Sequence, residues 1–324
     1  MSSALLDPNS TSGVQEELAI SIEGRWVRVP VFNIAGNTIV VAGRRLKIAF
    51  IPDEEYMGRE LQSPKLCIEE LTRMQHRGAR ADLLTFSQRI PNTVPKYDYR
   101  TEWDSIAIVG TRSFREWWER LPQGARRDVR RAEKRGVVVK VKQLDDDLIR
   151  GIIGVNNDSP VRQNKAFVHF GKTFDQVKYD QSSFLDRSDF ICAYVGDELI
   201  GFLKVAYNDE VASLVQLLPK ASHHDKSPAN ALLAKAVEVC EARGVSYLTY
   251  GKYNYGNKRD SSLRQFKVRN GFAEMLVPRY YVPLSSWGSL NLRLNTHHGL
   301  LGILPPIVIS WGLRARTKWR TICN

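Results

Sequence analysis

Cysteine is scarce and scattered. Cys67, Cys192, Cys240 and Cys323 lie far apart with no CxxC pair. That argues against a zinc site or a disulfide framework and fits a reducing compartment. Long apolar runs are also missing. The longest, residues 299–313, is too short to span a bilayer and is broken by Pro305-Pro306. The N-terminus carries Asp7, Glu16 and Glu17 and no apolar core run, so no signal peptide is expected and the location expected is cytoplasmic. There is no GxSxG elbow, Walker loop, GxGxxG or HExxH. Hydrolase, nucleotidase and dehydrogenase chemistry therefore has no motif to stand on.

What is present suits a soluble globular protein. The chain has 324 residues, 43% hydrophobic and 25% charged, enough for one large or two modest domains. The net charge of +12 is concentrated. Residues 112–142 hold eleven Lys/Arg against four Asp/Glu, and residues 285–324 hold five against none. An anionic partner follows: a nucleotide cofactor, RNA or a membrane surface. A solvated basic face explains 112–142 equally well.

The pattern divides the chain into a loose leader (1–20), an N-terminal α/β unit (21–104), a second domain (105–284) and a basic, partly apolar tail (285–324). In the first unit, alternation from Trp26 to Ile51 predicts strands, with a turn at Ala35-Gly36-Asn37. A helix follows at 65–77 and a strand at 81–86. In the second, a short strand is expected at 106–109 and a helix capped by Ser113. A basic helix is expected at 125–135, its apolar stripe being Ala125, Val129 and Ala132. Then come a strand at 137–141, a helix at 145–154 and a further helix at 175–188.

Residues 189–284 organise the rest. Three β-rich runs (189–195, 199–207, 211–218) are separated by Gly196-Asp197 and Asn208-Asp209, which suit tight hairpins. A loop then leads to a helix that Pro228 begins, with Ser227 as N-cap and Gly244 at its end. Leu232, Leu233, Ala236, Val237 and Cys240 form its buried face. A strand (245–250), a helix (260–270) and a last strand (272–283) follow.

Several residues carry candidate chemistry. Lys226, before the helix N-terminus, suits a pyrophosphate cradle, and an ordinary capped helix is the competing reading. His223-His224-Asp225 lacks a third ligand at a metal spacing, so no metal is expected; His224 is the candidate base. Tyr255, beside Gly256 in a turn, is the candidate acid. The polar-aromatic loop after the 145–154 helix, with Asn156, Arg162, Asn164 and Phe167, is the candidate acceptor site.

The order β-β-β-α-β-α-β over 189–284 resembles the Gcn5-related N-acetyltransferase (GNAT) fold. Leu121-Pro122 followed by Arg126-Arg127-Asp128-Val129-Arg130-Arg131-Ala132-Glu133-Lys134-Arg135-Gly136-Val137 is similar to the K-x-R-x-x-I-R-K-A-x-K-x-G-V stretch of FemAB-type and BioF2-like transferases. Ser262-Leu263-Arg264-Gln265-Phe266-Lys267 is similar to their late L-x-x-F-K segment. The fold class implied is α+β: a GNAT-like mixed, largely antiparallel sheet flanked by helices, with the N-terminal α/β half as a degenerate second GNAT-like unit. The activity implied is N-acyl transfer, with acyl-CoA or aminoacyl-tRNA as co-substrate and no metal. The acceptor implied is an amine-bearing small molecule or cell-envelope precursor. Other partners are tRNA and an anionic membrane surface met by the tail at the inner face of the membrane. By position, Gln216, Leu217 and Leu218 would bond the pantetheine. Lys226, Ser227, Ala229 and Asn230 would meet the pyrophosphate, Tyr255 would be the acid, and the third and fourth strands would splay. The family's Q/R-x-x-G-x-G/A loop is here His223-His224-Asp225-Lys226-Ser227-Pro228-Ala229, without glycine. A binding module gripping RNA or membrane through the basic helix and tail is the alternative.

Overall fold

A computed structural model describes residues 17–22, 25–54, 60–75, 80–162, 165–254 and 261–298. The chain folds into two compact units. Among the described residues, 17–52, 61–86 and 280–298 form the first, and 53–54, 60 and 87–279 the second.

The first unit begins with strands β1 (Glu17–Ile22), β2 (Arg25–Ile34) and β3 (Asn37–Ala42), joined as antiparallel neighbours. Ala35 and Gly36 both take positive φ (50° and 76°), as a tight hairpin requires. The short β4 (Ile48–Phe50) pairs antiparallel with β3 and parallel with β5 (Leu83–Ser87); helix α1 (Pro64–Gln75) makes the crossover.

The second unit opens with β6 (Arg100–Gly110), eleven residues where periodicity predicted four. Its first half, Arg100-Thr101-Glu102-Trp103-Asp104, is polar and partly exposed, so no apolar alternation announces it. Helices α2 (Phe114–Arg120) and α3 (Gln123–Lys134) follow. Ser113 caps α2 as expected, its hydroxyl accepting from the Glu116 amide. Then come β7 (Val138–Lys142), α4 (Asp146–Asn156), a two-residue ribbon β8 (Val161–Arg162) and β9 (Lys165–Ala166), and α5 (Phe174–Gln181). The helix expected to reach residue 188 stops at Gln181. Phe184 takes a left-handed φ of 56°, and a single 3-10 turn, Leu185–Arg187, completes the connection. The rest is β10 (Ser188–Val195), β11 (Glu198–Asn208), β12 (Val211–Pro219), α6 (Pro228–Ala242), β13 (Tyr247–Lys252), α7 (Ser262–Arg269) and β14 (Ala273–Pro283). The unit boundary falls inside β14, between Arg279 and Tyr280. Helix α8 (Ser286–Arg293), in the tail stretch, belongs to the first unit. There Gly288 packs so tightly on the main chain that a Cβ would lie 1.9 Å from the Asp82 carbonyl oxygen.

The strand order in the second unit is β14-β6-β13-β12-β11-β10-β7. The pairs β7–β10, β10–β11, β11–β12 and β6–β13 are antiparallel, and β12–β13 is parallel. This is the mixed, largely antiparallel α+β arrangement expected. Both hairpins form, with Gly196 (φ 58°) in the first and Asp209 (φ 49°) in the second; the second turn falls on Asp209-Glu210, one residue later than expected. Because strand side chains alternate, the sheet buries two apolar faces. On one, Ile191, Leu203, Val205 and Leu214 meet Val129 of α3 and Leu232, Leu233, Ala236, Val237 and Cys240 of α6. On the other, Phe190, Phe202 and Leu218 meet Leu148, Ile152 and Val155 of α4 and Val177 of α5. At the start of β10 the buried Asp189 accepts bonds from Gln143, Tyr207 and Arg243, which satisfies its charge.

Candidate active site

Strands β12 and β13 pair at only three positions: Val211 with Tyr247, Ala212 with Leu248, and Ser213 with Thr249. The Thr249 hydroxyl donates to Ser213 Oγ (3.0 Å) and closes the last of them. Beyond it the strands part, and each carries a bulge. On β12, Gln216 pairs with Lys204 and Leu214 with Val205, which leaves Val215 as an extra residue. On β13, Thr249 faces Ile108 and Lys252 faces Ile106, so Tyr250 and Gly251 together oppose one residue of β6. Gly251 sits at φ 53°, a conformation its missing Cβ permits. Alternate peptide groups of 214–219 turn away from β11 and have no β13 partner, so they offer a row of main-chain donors and acceptors.

A fully buried lysine backs each wall. Lys267 of α7 donates to the carbonyls of Tyr250 (2.5 Å) and Lys252 (2.7 Å). Lys204 of β11 donates to Gln181 O (2.8 Å), Ser183 O (2.6 Å) and Ser183 Oγ (3.2 Å).

The end of β12 leads into a 3-10 turn, Ala221–Lys226. Asp158 caps it: the Ala221 and Ser222 amides donate to Oδ2 (2.6 and 3.2 Å) and the Ser222 hydroxyl to Oδ1 (2.5 Å). Burial alone would raise the Asp158 carboxyl, but these bonds and the Arg162 charge hold it below its ordinary range. Lys220 donates to Glu198 (2.6 Å) and holds that carboxyl low, while His223 Nε2 lies 3.2 Å from the same group. His224 is exposed on the turn. Ser227 occupies the N-cap position of α6, but its hydroxyl caps nothing. Its φ is 54°, in the left-handed region, and its N–H is taken by the His224 carbonyl (3.1 Å). Arg131 of α3 reaches Ser227 Oγ (3.5 Å), and Arg135 holds Asp225 through its carbonyl (2.8 Å) and carboxylate (2.5 Å).

The side chains of the expected donor-site residues are mostly engaged. Gln216 Oε1 accepts from Gln181 (2.8 Å), Leu217 packs toward α6, and Leu218 is buried toward α4. Only their main chain faces the gap. Asn230 donates to Asn270 (3.0 Å), which ties the start of α6 to the end of α7. Lys226 and Ala229 are half-buried beside the α6 N-terminus, with Lys226 Nζ 3.4 Å from His223 Nδ1. Of the expected acceptor residues, Arg162 and Phe167 come together at the end of β12. Arg162 donates to Pro219 O (2.8 Å) and Val155 O (3.3 Å) and lies 4.7 Å over the Phe167 ring. Asn156 is buried, with no partner for Oδ1 among the described residues. Tyr255 and Asn164 lie outside the described residues. Lys204 and Gln181 were not anticipated; the available signal was a lone cation inside the apolar run Phe202-Leu203-Lys204-Val205-Ala206.

Residues 120–259 match the family model of the acetyltransferase (GNAT) domain. The splayed strands lie inside this matched stretch, a domain of GNAT fold. Its type is that of an acyltransferase, and the chain carrying it is an enzyme of the transferase class. No curated protein matches the chain in sequence. Among solved structures the fold is similar to the C-terminal domain of a protein named as a lysylphosphatidylglycerol synthetase from Agrobacterium fabrum (TM-score 0.53, 17% identity). It is similar also to L-PGS from Bacillus licheniformis (0.53, 16%) and to FemX (0.50, 9%). Each comparison covers 82% of this chain and 87% of the other. The FemAB-like resemblance therefore holds at the level of fold. No described helix is long and apolar enough to cross a membrane.

Proposed function

We propose that the GNAT domain transfers an acyl or aminoacyl group from a thioester or ester donor directly to an amine. The parting of β12 and β13 after Ser213/Thr249 carries this reading: an extended acyl carrier replaces the missing strand partner along β12. In it, the peptide groups of Gln216, Leu217 and Leu218 bond the carrier and stabilise the oxyanion. Lys226, Ser227, Ala229 and Asn230, joined by Arg131, take the carrier's phosphates at the start of α6. The shared chemistry of the donors is a phosphate-rich carrier, met in acyl-CoA and in aminoacyl-tRNA. The acceptor, an amine-bearing small molecule or cell-envelope precursor, approaches past Asn156, Arg162, Asn164 and Phe167. His224 removes the amine proton, the nitrogen attacks the carbonyl carbon, the C–S or C–O bond breaks, and Tyr255 protonates the leaving group.

Calorimetry with acetyl-CoA and filter binding with aminoacyl-tRNA test the donor; a folded protein that binds neither overturns the reading. With a donor in hand, Tyr255→Phe is expected to lower kcat about 100-fold, and an unchanged kcat removes Tyr255 as the acid. The basic residues Arg314, Arg316, Lys318 and Arg320, outside the described residues, are assigned to an anionic membrane surface. Equal flotation on anionic liposomes of the full chain and of a chain ending at His298 overturns that contact.

A further inference from the structure

Lys204 stands in the middle of β11 with no exposed surface. All three of its ammonium hydrogens have acceptors: Gln181 O, Ser183 O and Ser183 Oγ. These acceptors sit at the C-terminus of α5, where helix carbonyls lack partners within the helix and the dipole favours a cation. The Phe190 ring, 5.3 Å away, lines the same space.

The same lysine marks where β12 becomes irregular. Lys204 pairs with Gln216 and its neighbour Val205 with Leu214, so the extra residue Val215 falls beside this rung. Gln181 gives its carbonyl to Lys204 and its side-chain amide to Gln216 (2.8 Å). Lys204, Gln181 and Gln216 thus form a closed ring: ammonium to helix end, helix end to β12, and β12 back to β11 through the ladder. Every group in it is engaged within the fold.

We infer that Lys204 is a positioning residue that fixes the β12 bulge through Gln181, and with it the peptide groups of Val215, Gln216 and Leu217. The inference rests on the acyl-transfer reading only where these peptide groups are said to hold a donor. Burial lowers the Lys204 ammonium from its ordinary range to about 8. The groups facing it are neutral: Phe190 from β10, Gln181 and Ser183 from α5 and its end, and Gln216 from β12. Loss of the proton removes one of three donors and turns a lone pair toward carbonyl oxygens, which opens the ring at one bond.

The test follows backbone amide signals of the full chain by NMR from about pH 6.5 to about pH 9.5, around the Lys204 transition. A shared inflection near pH 8 is expected at Ser183, Val215, Gln216 and Leu217, absent in Lys204→Met and in Lys204→Arg, whose guanidinium does not titrate here. Lys204→Met is further expected to displace those four signals at pH 7 and to weaken acetyl-CoA binding about tenfold, as loss of about one hydrogen bond implies. A folded Lys204→Met that leaves the Val215, Gln216 and Leu217 signals in place at pH 7 overturns the inference; if Lys204→Met does not fold, the same result in Gln181→Ala, which removes the bond to Gln216, overturns it. If the signals titrate but acetyl-CoA binds neither wild type nor variant, the role of Lys204 stands and the coenzyme A donor falls.

Discussion

The two walls of the gap solve one problem with different chemistry. Each leaves the ladder at a bulge, and each is backed by a buried lysine. Lys267 bonds two carbonyls of the wall it supports, Tyr250 and Lys252, so β13 and α7 are self-contained. Lys204 bonds no carbonyl of β12. It reaches a helix end, and Gln181 completes the connection. The β13 wall is therefore fixed locally, and the β12 wall is as firm as the seating of α5. In the proposed reaction the second wall holds the donor, so the side that must adapt to a ligand is the one with the indirect support.

Removing the support of the first wall is expected to have the largest effect. Lys267→Met leaves the part-buried carbonyls of Tyr250 and Lys252 without this donor and should cost about 3 kcal/mol in urea unfolding. A loss below about 1 kcal/mol would show that β13 does not depend on Lys267. Lys204→Met should cost less at neutral pH, about 1–2 kcal/mol, because the lost bonds are offset by removing a desolvated charge. Its pH dependence sharpens the contrast. The folded-state ammonium is depressed to about 8 from an ordinary 10.5, so between these values the unfolded chain binds more protons. Wild type should therefore gain stability relative to Lys204→Met as pH rises through that window, with a flat difference below it. A flat difference throughout would mean that Lys204 titrates normally. Thr249→Val removes the bond to Ser213 where the walls meet, and about 1 kcal/mol is expected. Gly251→Ala should cost a similar or smaller amount, about 1 kcal/mol, through strain at positive φ. Circular dichroism melts resolve both.

Much of this frame is legible in the residues. Gly196-Asp197 marks a hairpin, Ser113 a cap, Gly244 a helix end and the apolar stripe of α6 its buried face, because each is decided within a few positions of chain. The bulge at Val215 is not legible, since it exists only as a mismatch of register between β12 and β11. Ser227 shows a nearer limit. Its type suits a cap, yet Pro228 after it and the turn before it set a backbone in which the hydroxyl caps nothing. The splayed stretch where the donor is proposed to lie follows from the order of elements. The direction of the expected donor-site side chains does not: Gln216, Leu217, Leu218 and Asn230 all spend them inside the fold.

Asp158 has a consequence for how this protein can diversify. It lies in the loop that follows α4, yet it is the cap of the turn that follows β12. Arg162 in the same loop grips the last carbonyl of β12. Two loops about sixty residues apart in the chain are thus held as one unit. Replacing either loop without its mate would strand three donors or a guanidinium, so substitutions at this corner should be tolerated best as paired exchanges.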